Sequence, residues 1–296
     1  MYSQLISNFV DQESLPSSYI EDAGKFVVPL VDQIAQRILG SADTLFIGLN
    51  GAQGTGKTTL AKLLVKLLEA RGFGIANLSI DDFYFTKAER QLLAEKQHPL
   101  LITRGVPGTH DTSLLLKKIT EFRNLESKQV CEVPRFNKAM DDRCGLSDWQ
   151  RVTGPIDSVL LEGWFVGAPP QEAEDLGRTV NVLEESEDKD GSWREFVNTQ
   201  LAGQYQAVFD QLDLLIMLKA PSFEQVFEWR ALQEEKLRNL SSLHASAIMD
   251  EDQLERFIQH YERITRHCLE YLPEKADYLY ELGSDHRIFK ATATSD

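Results

Sequence analysis

Apolar residues along this chain change their spacing several times, and each change marks a new element. Val27, Val28, Leu30, Val31, Ile34, Ala35 and Ile38 recur at three- and four-residue intervals. Residues 1–40 are therefore expected to be helical, with Gly40 ending the run. Residues 44–49 are then almost continuously apolar, as in a strand buried on both faces of a parallel sheet. Helical spacing returns in Leu60, Leu63, Leu64, Leu67 and Leu68 and closes at Arg71 and Gly72. Further strands are predicted over 74–80, 158–161, 212–218 and 276–282, and helices near 113–122, 222–237 and 251–272. In the last of these Leu254, Phe257, Ile258, Tyr261 and Ile264 share a face.

Strands alternating with helices imply a mostly parallel sheet covered on both sides, a three-layer α/β/α architecture of about five strands. No repeat or linker is visible, so residues 1–296 read as a single domain. Residues 1–40 form an N-terminal helical extension and 166–191 a loop-rich acidic insertion, whose run 184–190 reads as a solvated surface. Of 296 residues 42% are hydrophobic and 26% charged, enough to build a large core. The net charge of −15 disfavours nucleic acid as a partner. No apolar run approaches the roughly 20 residues of a membrane span, and the N-terminus does not resemble a signal peptide. The three cysteines, Cys131, Cys144 and Cys268, form no C-x-x-C pair, which points to a cytoplasmic protein without a disulfide framework or zinc site.

Between the first strand and its helix lies Gly51-Ala-Gln-Gly-Thr-Gly-Lys57-Thr58, a match to G-x-x-x-x-G-K-[ST]. Glycines let such a loop curl until its N–H groups converge on phosphate oxygens, and the helix behind adds the positive end of its dipole. Gly51, Ala52, Gln53, Gly54, Thr55, Gly56, Lys57, Thr58 and Thr59 are thus expected to bind ATP. Lys57 would reach the β- and γ-phosphates, and the Thr58 hydroxyl would bind Mg²⁺. The class becomes a P-loop NTPase.

Such a site needs acidic help to hold its metal. Asp81 and Asp82 follow the second predicted strand and Glu162 the third, at the strand ends where ligands gather in open α/β sheets. Asp81 is expected to orient an acceptor hydroxyl and take its proton, and to share the metal with Thr58 and Glu162. Asp82 fits a capping role better. A GTP-binding switch protein is disfavoured: Asn137-Lys-Ala-Met140 lacks the aspartate of N-K-x-D, and no D-x-x-G follows the third strand.

The runs Asp81-Asp-Phe-Tyr84, Arg104-Gly-Val-Pro-Gly-Thr-His-Asp111, Pro134-Arg-Phe-Asn-Lys138, Leu161-Glu-Gly-Trp164 and Trp229-Arg-Ala-Leu-Gln-Glu-Glu-Lys-Leu-Arg238 resemble the D-glycerate 3-kinase family. That family sits among the phosphoribulokinase, uridine kinase and pantothenate kinase group of P-loop kinases. The resemblance covers about residues 45–283 and implies a helical lid with Arg230 folded over the phosphates, joined by Lys236 and Arg238. It implies Asp81 at the substrate hydroxyl and Glu162 as the Walker B acid. Glycerate is an anion, so cations are sought in the polar middle of the chain. Arg104, His110, Arg135, Lys138 and Arg143 cluster there, and Arg104, His110 and Arg135 are the candidates for the substrate, with Tyr84 lining its pocket. The family usually reads Pro-Arg/Lys-Tyr/Phe-Asp-Lys-Ser, then glycines and Asp-Arg. Here Asn137 and Ala139 replace the aspartate and serine, and Asp142-Arg143 arrives without the glycines. Other hydroxylated acceptors, of nucleoside or pantothenate type, and a nucleotide-binding regulator without turnover stay open as alternatives.

Overall fold

Strand β1 (Leu45–Gly51) is buried at every position, because it runs through the middle of the sheet. Its side chains alternate between two cores, Phe46 entering one and Leu45, Ile47 and Leu49 the other. The structure, a computed structural model, describes residues 2–240 and 251–294. The sheet continues with β2 (Ile75–Ser79), β3 (Ser158–Gly163), β4 (Leu214–Lys219), β5 (Tyr278–Leu282) and β6 (Ile288–Ala293). Its six strands lie in the order β6-β5-β4-β1-β3-β2, all neighbours parallel except β5 with β6.

The sixth strand is an addition to the predicted set. It is an antiparallel edge that is largely exposed, so it carries no apolar run for periodicity to detect.

Helices cover both faces. On one side α1 (Ser3–Gln12), α2 (Val28–Gly40) and α3 (Lys57–Glu69) pack against the core that holds Ile47 and Leu160. A π-helical turn at Ala23–Val27 leads into α2, with Pro29 in the first turn, where its missing N–H costs nothing.

The other side is covered by α5 (Thr112–Arg123), α6 (Ser192–Gln200) and the C-terminal half of α8 (Glu251–Tyr271). Two further helices matter for the site. The first, α4 (Lys87–Lys96), was not expected from the sequence; it opens on a reciprocal cap between Thr86 and Glu89. The second, α7 (Phe223–Leu240), leads towards α8. No helix among the described residues is long and apolar enough to cross a membrane.

The acidic segment 166–191 differs from the solvated loop expected of it. It contains helical turns at Ala173–Leu176 and Val182–Glu187, and two of its acids are fully buried. Glu184 pairs with Arg263 of α8 at 2.6 Å, and Asp188 with Arg194 of α6 at 2.9 Å. A charge in the interior is tolerated only when paired, so these acids face inward to arginines, Arg194 on the next helix and Arg263 on α8 far along the chain.

Candidate active site

Register brings the site together. In the parallel ladder Glu162 of β3 lies opposite Leu49 of β1 on one side and Ser79 of β2 on the other. The loop after β1, the turn after β2 and the end of β3 therefore meet at one edge of the sheet.

The turn after β1 is shaped by glycine in two ways. Gly54 has φ of +82°, and a Cβ there would lie 2.7 Å from Cβ of Trp229. Gly56 has φ of +83° and stands at the N-cap of α3, directly before Lys57. Inside the loop Thr55 donates to the Ala52 carbonyl at 2.8 Å; both residues are buried on the inner side of the turn.

A cleft of about 380 Å³ opens over this loop. Gln53, Gly54, Gly56, Lys57, Thr58 and Thr59 form one wall. Asp81, Tyr84, Arg104 and Lys138 face them, and Arg230 and Gln233 of α7 with Phe257 and Tyr261 of α8 close the side.

Thr58 Oγ1 lies 3.0 Å from both carboxylate oxygens of Glu162, which is buried. Burial pushes the Glu162 carboxyl above its ordinary range, opposed by Lys57 and the Thr58 hydroxyl. A hydroxyl and a carboxylate suit a hard cation such as Mg²⁺, which keeps waters and takes phosphate oxygens for its other positions. The described residues contain no group of three or more His, Cys, Asp or Glu that could cage a metal by themselves.

Asp81 has both oxygens engaged. Tyr84 donates its hydroxyl to Oδ1 at 3.0 Å, and Lys138 donates to Oδ2 at 2.7 Å. Burial would raise this carboxyl, but the ammonium groups of Lys138 and Lys57 outweigh it and hold it at about 2. Asp82 points the other way. It accepts from Phe136 N at 3.0 Å and from Arg135 at 2.9 Å, which ties the short strand Phe136–Asn137 to the end of β2.

Arg104 reaches the cleft through an ion pair with Asp141, its guanidinium 5.5 Å from the Phe136 ring centroid. Arg230 also lines the cleft, ion-paired to Glu234 one turn along α7. The side chains of Lys236 and Arg238 lie outside those described.

Two of the expected acceptor residues are elsewhere. Arg135 is half exposed on Asp82 and does not line the cleft. His110 is fully buried behind Tyr84, its ring stacked at 4.3 Å, with Nδ1 2.8 Å from the Tyr205 hydroxyl. Burial holds its imidazole down at about 3, so it is neutral and cannot serve as a cation. Its place is set by the backbone bridge between Tyr84 and His110, which fastens the 104–111 run to the end of β2.

Lys138, one of the central cations, lines the cleft, as does Trp164; Gln233, Phe257 and Tyr261 line it without having been expected there. Tyr261 donates to the Arg104 carbonyl at 2.9 Å and Trp164 to the Gly105 carbonyl at 3.1 Å, holding the strand of backbone that carries Arg104. Asn137, where the family usually has aspartate, accepts from Ala139 N at 3.0 Å and Met140 N at 3.1 Å. An amide oxygen does this as a carboxylate would, so the turn that presents Lys138 keeps its shape.

A second cavity of about 250 Å³ adjoins the same loop at Gly56 and Thr59, on the side of the N-terminal extension. Tyr19, Val27, Leu60 and Ile288 give it largely apolar walls.

No family model matches the chain. Over 223 residues, 73% of this chain and 77% of the relative, it is 31% identical to the uncharacterized kinase mug58 of Schizosaccharomyces pombe. Over 272 residues, 88% of this chain, it is 30% identical to the chloroplastic D-glycerate 3-kinase of Arabidopsis thaliana; the match spans 53% of that longer protein. The fold superposes on a D-glycerate 3-kinase from Cryptococcus neoformans with a TM-score of 0.72 and 23% identity, covering 90% of this chain and 99% of that one. With a phosphate-binding loop between β1 and α3, the chain belongs to the family of P-loop kinases that includes mug58 of Schizosaccharomyces pombe and is an ATP-dependent phosphotransferase.

Proposed function

We propose that this kinase phosphorylates a hydroxyl of D-glycerate, with Mg²⁺ held by Thr58, Glu162 and the nucleotide's phosphates. The observation that carries the acceptor class is a pair of cations, Arg104 and Lys138, facing the phosphate-binding loop in a chain of net charge −15. They match the carboxylate of a small hydroxy acid. The similarity to D-glycerate 3-kinase of Arabidopsis thaliana favours glycerate among such acids.

The triphosphate would lie along residues 51–59, with Lys57 and Arg230 drawing charge from the γ-phosphoryl oxygens. Bound Mg²⁺ would neutralise phosphate charge. The acceptor oxygen attacks the γ-phosphorus, the bond from phosphorus to the ADP oxygen breaks, and the hydroxyl proton passes to Asp81. The transition state is loose, so Asp81 contributes mainly by aligning the hydroxyl. The apolar cavity beside Gly56 and Thr59 suits the adenine base, since it adjoins the loop that takes the phosphates. Free cysteines at 131, 144 and 268 fit a cytoplasmic setting.

Coupled ADP-release assays on a panel of alcohols test the reading. D-Glycerate should stimulate ATP turnover well above glycerol, nucleosides and pantothenate. Equal or greater stimulation by an uncharged acceptor would defeat the glycerate assignment.

A further inference from the structure

Each oxygen of Asp81 already accepts from one donor, Tyr84 or Lys138. Each keeps a second lone pair for an acceptor hydroxyl, and the hydroxyl gains most where the resident donor can give way. Tyr84 cannot leave easily: it is buried, stacked on His110, and packed edge-on to Phe136 at 5.2 Å. Lys138 can. Its side chain is 63% exposed and stands on the turn between the short strands Phe136–Asn137 and Asp142–Arg143.

The base of that turn is fixed. Fully buried Arg90 donates to the Asp141 carbonyl at 2.7 Å and pairs with its carboxylate at 3.0 Å. Asp142 accepts from Lys87 N at 3.0 Å. Arg143 donates to the Tyr84 carbonyl at 2.7 Å. Lys138 is thus a long cation on a rigid mount, within reach of Asp81 and on the same side of the cleft as Arg104.

Resting on the reading of an anionic hydroxylated acceptor, we infer that Lys138 is an exchangeable counter-ion: it occupies Asp81 in the empty cleft and moves to the acceptor's carboxylate when that ligand binds. The exchange conserves pairing. The carboxylate of the incoming acid takes the ammonium, and its hydroxyl takes the vacated oxygen of Asp81. A water molecule brings no carboxylate and leaves Lys138 where it is. The device therefore favours anionic acceptors over neutral polyols and suppresses transfer of the phosphoryl group to water. Arg104, already held by Asp141 and the Phe136 ring, supplies the fixed half of the anion site.

The test is Lys138→Met beside Lys138→Arg and Lys138→Gln, with ADP release measured on D-glycerate, on glycerol and with no acceptor, and inorganic phosphate measured separately. Binding of a fluorescent ATP analogue at wild-type affinity certifies each variant. Losing one charge-assisted hydrogen bond should lower kcat/KM for D-glycerate roughly 10- to 100-fold in K138M, mostly through KM. Turnover of glycerol should hold or rise, and acceptor-free phosphate release should rise several-fold. K138Q should follow K138M, and K138R should recover most of the selectivity.

An unchanged ratio of glycerate to glycerol turnover in K138M and K138Q would overturn the proposal, as would equal loss of all three activities. If wild-type enzyme itself ignored D-glycerate and every other hydroxy acid, the acceptor reading would fail and this inference with it. A wild type active on D-glycerate with indifferent variants would remove only the role of Lys138.

Discussion

In the empty cleft the ammonium groups of Lys138 and Lys57 outweigh burial and hold the Asp81 carboxyl at about 2, so it is ionised when the acceptor arrives. Asp81→Asn keeps the shape and removes the proton acceptor. We expect kcat to fall roughly 10²- to 10⁴-fold, the range of a lost general base. Affinity for the ATP analogue should change little, which a nucleotide titration would check. Near-normal turnover would remove Asp81 from the chemistry.

Histidines add a pH signature at the same scale. Burial lowers His110 to about 3 and His260 to about 4, against an ordinary 6.5. Their folded values are depressed, so the unfolded chain takes up protons first. Their contribution is intact above about pH 6.5 and is lost as pH falls towards 4 and 3, at roughly 1.4 kcal/mol per pH unit for each histidine. Urea midpoints should drop between pH 6.5 and 5, although Glu162, raised by burial, works in the opposite direction. A flat profile would contradict the neutral burial of both rings.

Lys57, Asp81 and Glu162 were legible in the sequence because each sits at a fixed offset from a strand end. Lys138 was legible only as one of several central cations, because its partner Asp81 lies 57 residues away and only the folded turn brings them together. His110 misled for the reverse reason: a histidine in a rigid glycine-rich run reads as a ligand, while its burial depends on Tyr84, Phe165 and Tyr205 around it.

Among elements, the turn from β1 into α3 is the most constrained. Gly54→Ala would place a methyl group against Trp229 and strain a backbone at φ of +82°. We expect it to abolish ATP binding, read by titration; wild-type affinity would mean that the loop and α7 do not pack as described. The 166–191 segment carries a different prediction. Removing Glu184 leaves Arg263 buried without its carboxylate, so Glu184→Ala should cost about 3–5 kcal/mol in urea unfolding. A loss under about 1 kcal/mol would fit the solvated loop that the acidic run first suggests.

Strands β1 to β5 were legible from apolar runs, with boundaries shifted by a few residues. Helix α4 was not. Among its residues only Arg90 is buried, so it has no apolar stripe, and its capping box is the local signal that finds it. In 166–191 the composition describes the acids correctly and says nothing of the arginines on α6 and α8 that bury them.

For the whole molecule, the mostly parallel sheet places three strand ends side by side, and that arrangement decides what can be catalysed. An acidic chain gathers Lys57, Arg104, Lys138 and Arg230 around one cleft, where the proposed function has an anionic nucleotide and an anionic acceptor meet. Incubation with ATP labelled in the γ-phosphoryl group, in the presence of Mg²⁺ and D-glycerate, tests this most directly. Label is expected on glycerate, with little in inorganic phosphate. Label confined to inorganic phosphate, or remaining on ATP, would contradict the assignment of this cleft as a glycerate-phosphorylating site.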